Sequence, residues 1–126
     1  MPRRFNPEGV PAPQFYSHGA EVAAGQRLVF VSGQVGVGPD GQPAEGIEAQ
    51  TRLAVQNLKG VLAAADMTLD DVAKYTFILT DPMDAQGFAQ GAVELLQDPP
   101  AAVTMIFVSA LAAPNLKVEI ECVAAK

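Results

Sequence analysis

The sequence is short of almost everything that metal, thiol or phosphate chemistry needs. It has one cysteine, Cys122, one histidine, His18, and no tryptophan. A lone cysteine cannot close an internal disulfide, which agrees with a reducing compartment. One His, one Cys and carboxylates without ligand spacing leave almost nothing to hold a metal, and they assemble no nucleophilic triad. His18 reads as a surface or interface residue. Cys122 alternates with Val118 and Ile120 and reads as a buried, inert thiol. Positive charge is scarce too: eight Lys and Arg against 14 Asp and Glu, a net charge of −6. That leaves no basic surface for a row of phosphates, so nucleic acid is not an expected partner. Arg3 and Arg4 read as a solvated pair near the N-terminus. No apolar run nears the ~20 residues of a membrane helix, and no apolar segment follows the arginines as in a secretory signal. No membrane partner is expected, and the cytosol is the expected location. The Gly-rich stretch GVGPDG lacks the lysine of a P-loop and the spacing of a dinucleotide fingerprint, and reads as a loop.

What is present is an ordered, mostly apolar chain. Its 126 residues, 49% hydrophobic and 17% charged, suffice for one domain over residues 1–126 with a real core. Residues 1–13 hold Pro2, Pro7, Pro11 and Pro13 and predict an extended, irregular lead-in. Gln14–Val22 is a short strand candidate interrupted by Gly19, and Arg27–Val37 is a strong one. Gly38-Pro39-Asp40-Gly41 is a turn by its chemistry. Ile47–Ala65 predicts a helix with Ala54, Leu58, Val61, Leu62 and Ala65 in one apolar stripe; its Gly60 suggests close packing on a sheet. Thr68 and Asp70 are candidate caps ahead of a strand over Val72–Thr80. Asp81-Pro82 opens a second helix, Met83–Gln97, which Pro99-Pro100 stops.

The chain closes on AAVTMIFVSALAAPNLKVEIECVA, read as two strands joined by a short turn. Ala102–Ala110 is apolar on both faces, which predicts a strand buried on both sides. Leu116–Ala124 alternates cleanly, with Leu116, Val118, Ile120 and Cys122 on one face and Lys117, Glu119 and Glu121 on the other. The element order is β-β-α-β-α-β-β, an α+β class. Two helices cover only one face of such a sheet, so self-association through the other face is expected. Two features could carry chemistry. Ser32-Gly33-Gln34 interrupts an apolar strand, either as a bulge packed on the helix or as a place where a ligand lies against the backbone. Glu119 and Glu121 are either solvated carboxylates or the source of one placed to handle a proton.

Phe15-Tyr16-Ser17, LVFVSGQ at Leu28–Gln34, the helix QTRLAVQNLKGVLAAAD, the block LDDVAKYTFILTD and the close VEIECVA together resemble the Rid (reactive intermediate deaminase, or YjgF) family over residues 10–125. The resemblance implies a chorismate-mutase-like α+β fold with two helices on one face of the sheet. It implies a homotrimer with a central β-barrel and a small-molecule cleft between subunits. The implied chemistry is hydrolysis of enamines and imines such as 2-aminoacrylate to 2-ketoacids and ammonia, with no cofactor and no metal. In that mechanism an arginine grips the substrate carboxylate, and a glutamate-held water attacks the imine carbon.

Tyr16, Ser32, Gly33 and Glu119 match the family's site positions, Glu119 as the catalytic one. The arginine does not match: Val103 stands in its place, followed by Thr104. A pocket asparagine on the second helix is replaced by Ala89. No Arg or Lys lies between Lys74 and Lys117. The cleft is therefore expected to be apolar, with Val103, Met105 and Phe88 contributing. The resemblance is to a branch without the arginine, for which imine deamination is not expected. The alternatives left open are a deaminase with an altered substrate, an endoribonuclease or translation inhibitor, and a trimer without a ligand.

Overall fold

The structure is a computed structural model that describes residues 1–126. Its elements are β1 (Arg3–Phe5), β2 (Gly19–Glu21), β3 (Leu28–Val35), α1 (Ile47–Ala64), β4 (Val72–Leu79), α2 (Ala85–Gly91), β5 (Ala102–Phe107) and β6 (Val118–Ala125). β1 and β2 pair with each other, and the other four strands form a sheet in the order β3-β6-β4-β5. β4 and β5 run parallel, and the other pairs are antiparallel.

Alternation explains why the helices sit on one face. Tyr75, Phe77 and Leu79 of β4 and Val118, Ile120 and Cys122 of β6 are buried with Leu58 and Leu62 of α1 in one core. Lys74, Thr76 and Ile78, like Glu119 and Glu121, point to the opposite, open face. The expected stripe on α1 needs one correction. Val61 is 39% exposed, and Gln50, Thr51 and Val55 join Ala54, Leu58 and Leu62 in the buried row. Gln50 is polar but paired: Nε2 donates to Ala44 O and Asn115 O, and Oε1 accepts from Lys117 N. It thereby anchors the β5–β6 connection to the helix.

Five further expectations change. The two closing strands are not neighbours, because β4 lies beside β5 and β6 lies between β4 and β3. β5 is an edge strand, not a central one, and Met105, Ile106 and Phe107 are each about two-fifths exposed at 38%, 42% and 43%. An apolar run shows that side chains avoid water; it does not show what covers them. The second helix is shorter than expected: a 3₁₀ turn at Pro82–Asp84, α2 proper, and a 3₁₀ turn at Val93–Leu95. Its N-terminal signal does hold, since Asp81 Oδ1 accepts from Met83 N at 2.9 Å. Gly60 faces open space. The close approaches fall instead at Gly36, against the Gln50 backbone, and at Gly91, against Thr51 and the Glu48 carbonyl.

The fifth correction concerns the lead-in. Residues 3–5 are a strand paired antiparallel with β2. Arg4 is buried, and its guanidinium donates to the carbonyls of Val72, Pro99 and Asp70. Burial lowers its pKa from the usual arginine value. Arg3 alone behaves as expected of an exposed charge, paired with Glu21 at the surface.

One core group is left without a partner. The Tyr75 hydroxyl is buried and unbonded, and burial raises its pKa well above that of a free tyrosine. Tyr75→Phe removes a desolvated hydroxyl and little volume. It is expected to raise the unfolding free energy by about 1 kcal/mol, read as a higher urea midpoint at unchanged slope. A lower midpoint would contradict the hydroxyl's isolation.

Candidate functional site

The predicted site residues divide between the two faces of the sheet. On the helix side, Tyr16, Phe88 and Val103 come together around a cavity of about 530 Å³. Tyr16 reaches it because the next residue is fastened to the start of β5. Ser17 N donates to Ala101 O at 3.0 Å, and Ser17 Oγ donates to Pro100 O. Phe88 comes from α2 and packs its ring against Phe77 of β4, with centroids 4.8 Å apart. Val103 and Met105 enter from β5, which places them in register with Tyr75 and Phe77.

All 13 lining residues are hydrophobic. The Tyr16 hydroxyl is the only polar side-chain atom among them. Ala89 lines the wall, and Phe15 stands at the rim, 62% exposed. His18 is exposed, stacks edge-on against Tyr16 at 5.7 Å and meets Pro11 O through Nε2. It does not line the cavity.

Ser32, Gly33, Glu119 and Thr104 lie elsewhere. β3 changes register against β6 between Val31 and Gln34, so Ser32 and Gly33 form a β-bulge. The bulge packs on Glu119 rather than on the helix. A Cβ built on Gly33 would lie 2.6 Å from Glu119 Cγ and 2.8 Å from Oε1. Only glycine lets the Glu119 side chain cross over β3 in this position. Thr104 follows Val103 in a strand and so faces the opposite way; its Oγ1 accepts from Lys74 Nζ at 2.8 Å.

A second cavity, of about 230 Å³, collects Ser32, Lys74, Thr76 and Glu121 on this open face. Lys74 and Thr76 were missed in the sequence, although the period of two in VAKYTFILT sets them opposite the buried Tyr75 and Phe77. Glu119 and Glu121 thus share a face, with Glu119 over the bulge and Glu121 beside the polar cluster. Within one chain neither carboxylate shares a cavity with Tyr16 or Val103.

Cys122 lies on the helix side of β6. Burial pushes its thiol up to about 12, so it is not a nucleophile at neutral pH. No group of three or more His, Cys, Asp or Glu is arranged to hold a metal. No helix is long and apolar enough to cross a membrane.

Comparison with known proteins gives a consistent answer. The family model described as Endoribonuclease L-PSP matches residues 10–126. The chain is 45% identical over 67 residues to the RutC family protein YjgH of Escherichia coli, a match that spans 53% of this chain and about half of that one, 50%. Among solved structures, YyfB from Yersinia pestis, described as a protein of unknown function of the conserved Rid family, superposes with a TM-score of 0.84. It is 33% identical and covers 99% of this chain and 98% of its own. TdcF of E. coli, solved with bound serine, gives a TM-score of 0.73 at 28% identity, covering 98% of this chain and 94% of its own. The sheet with two helices on one face is the chorismate-mutase-like α+β fold of that group. With the family match running from residue 10 to the last residue and the fold shared end to end, the chain belongs to the Rid family.

Proposed function

We propose that this protein is a one-domain, cytosolic Rid-family homotrimer whose subunit-boundary clefts bind a small metabolite, and that it is a poor deaminase of carboxylated imines. One observation carries the second half of this reading: the cavity that holds Val103 has no cation on its wall. A carboxylate gripped by a guanidinium gains on the order of 1.5–3 kcal/mol. Here it would meet valine, Ala89 and aromatic rings. The contrast with TdcF, whose structure holds serine, is chemical: a carboxylated amino acid has no counter-charge in this cavity.

The trimer reading is supported by what the open face exposes. Phe30 and Leu28 are 74% and 50% exposed there, and Ile106 continues the apolar surface on β5. It is also supported by the division of the site. Glu119 stands on the other face from Val103, so the family's full constellation of Tyr16, Ser32, Gly33, Glu119 and position 103, with Phe88 and Thr104 beside it, needs a second copy. In that assembly Glu119 would hold the water that adds to an imine carbon; the carbon–nitrogen bond then breaks and ammonia leaves. No cofactor or metal takes part. The endoribonuclease description does not carry over in this reading, because a net charge of −6, an apolar helix-side cavity and a single lysine in the second one are little for a run of phosphates.

The test is direct. 2-Aminoacrylate is generated in situ from serine by a dehydratase, and 2-ketoacid release is followed with and without the protein. The expected result is no acceleration over the spontaneous hydrolysis. Acceleration that scales with protein concentration would refute the reading of Val103.

A further inference from the structure

We propose that the helix-side cavity selects a ligand without an anionic group, built on an aromatic ring or a branched alkyl group, to which this chain offers the Tyr16 hydroxyl as its one polar side-chain group. This rests on the reading of that cavity as the protein's ligand cleft, and it names the class of ligand.

The cavity's size and its wall both point this way. About 530 Å³ lies inside the range of small-molecule sites, roughly 300–1,000 Å³. Such sites orient their ligands with a few polar groups on an apolar wall, and here the lining side chains supply one hydroxyl. A carboxylate or phosphate brought in would lose its water and gain no partner, which is strongly unfavourable.

The wall also has features that favour rings. Phe77 and Phe88 line it with their rings tilted against each other, and Phe15 and Tyr16 add two more rings to the lining. Met105 supplies a flexible thioether that fits itself to a ring edge. The exposed part of the lining is apolar as well: Phe15 at 62% and Val93 at 61% exposure both belong to it. Scattered exposed apolar residues are ordinary, whereas a set gathered on one cavity marks a surface that a partner or ligand covers.

The probe pair is indole and indole-3-carboxylate, which share a ring and differ in charge. The full-length protein carries ¹³C-methyl methionine. Of its four methionines only Met105 lines the cavity, so Met67 and Met83 serve as internal references. Indole is expected to shift the Met105 methyl saturably, and indole-3-carboxylate to bind at least tenfold more weakly. Ala89→Trp, at an exposed position on α2, fills the cavity and is expected to abolish the Met105 shift; Leu96→Trp, also exposed, is the second variant should the first fail to fold.

Equal or tighter binding of the carboxylate overturns the proposal. So does an unresponsive Met105 in folded protein, which would mean that side chains of a neighbouring copy fill the space. The deaminase assay fails separately. Activity on 2-aminoacrylate refutes the inert-cleft reading whatever indole does, and an inert protein that ignores indole loses only the ligand class.

Discussion

Arg4→Met is expected to lower the unfolding free energy by about 3–4 kcal/mol, among the largest single-residue losses in this fold. The reason is where the guanidinium lies. Arg4 is 8% exposed. Nη2 donates to Val72 O at 2.8 Å and to Asp70 O at 3.0 Å, Nη1 donates to Pro99 O at 2.9 Å, and Nε adds a longer bond to Val72 O. One side chain thereby joins β1 to three places: the first residue of β4, the turn capped by Thr68, and the segment that leads into β5. Hydrogen bonds to a charged group contribute about 1.5–3 kcal/mol each, but bonds from one group do not add. Methionine keeps most of the buried stem and leaves the carbonyls without donors.

Arg4→Lys should fall between the two, because an ammonium carries the charge without the planar fork. Arg3→Ala is the control. Arg3 pairs with Glu21 with both side chains about three-fifths exposed, at 62% and 61%, and such pairs contribute little. The measurement is the urea midpoint for each variant at unchanged slope. A loss under about 1 kcal/mol for Arg4→Met would mean that water takes over the carbonyls once β1 detaches.

Arg4 also marks where the sequence stopped being legible. Two arginines among four prolines look like a solvated lead-in, and only long-range contacts show otherwise: Val72 lies 68 residues away and Pro99 lies 95. Nothing local distinguishes Arg3 from Arg4. Where neighbouring residues alone decide, the reading was sound. The alternation in VEIEC set Val118, Ile120 and Cys122 on the core face of β6 and Glu119 and Glu121 on the other, as they stand, because a strand's period of two is set by its own backbone. The caps at Thr68 and Asp81 were legible for the same reason.

Adjacency was not legible. Two strands close in sequence look like a hairpin, yet ten residues, 108–117, carry the chain past β4 so that β6 enters the middle of the sheet. The site suffered from the same limit. Val103 and Glu119 were paired through the family resemblance, and each is where its strand's period puts it. That period puts them on opposite faces of one chain.

Val103→Arg is expected to raise the affinity for indole-3-carboxylate by about ten- to a hundredfold and to weaken indole. A bidentate guanidinium–carboxylate contact contributes about 1.5–3 kcal/mol, and 1.4 kcal/mol is a factor of ten. The position suits the change. β5 is an edge strand, Val103 is only partly buried, and its side chain faces the cavity from beside Tyr75. An arginine there can lay its stem along the apolar wall and hold its head near the open rim, so the stability cost should stay near 1–2 kcal/mol. Lysine at 103 should recover less, lacking the second parallel hydrogen bond. The Met105 methyl titration reads both ligands in one experiment. Folded Val103→Arg protein with no gain for the carboxylate would remove this cavity as the carboxylate position. If the partner subunit does complete the cleft, turnover of 2-aminoacrylate should appear in Val103→Arg and vanish in Val103→Arg with Glu119→Gln, while carboxylate binding persists. Binding restored by one face of the sheet and turnover by the other is the signature a two-subunit cleft predicts, and a site confined to one chain could not give it.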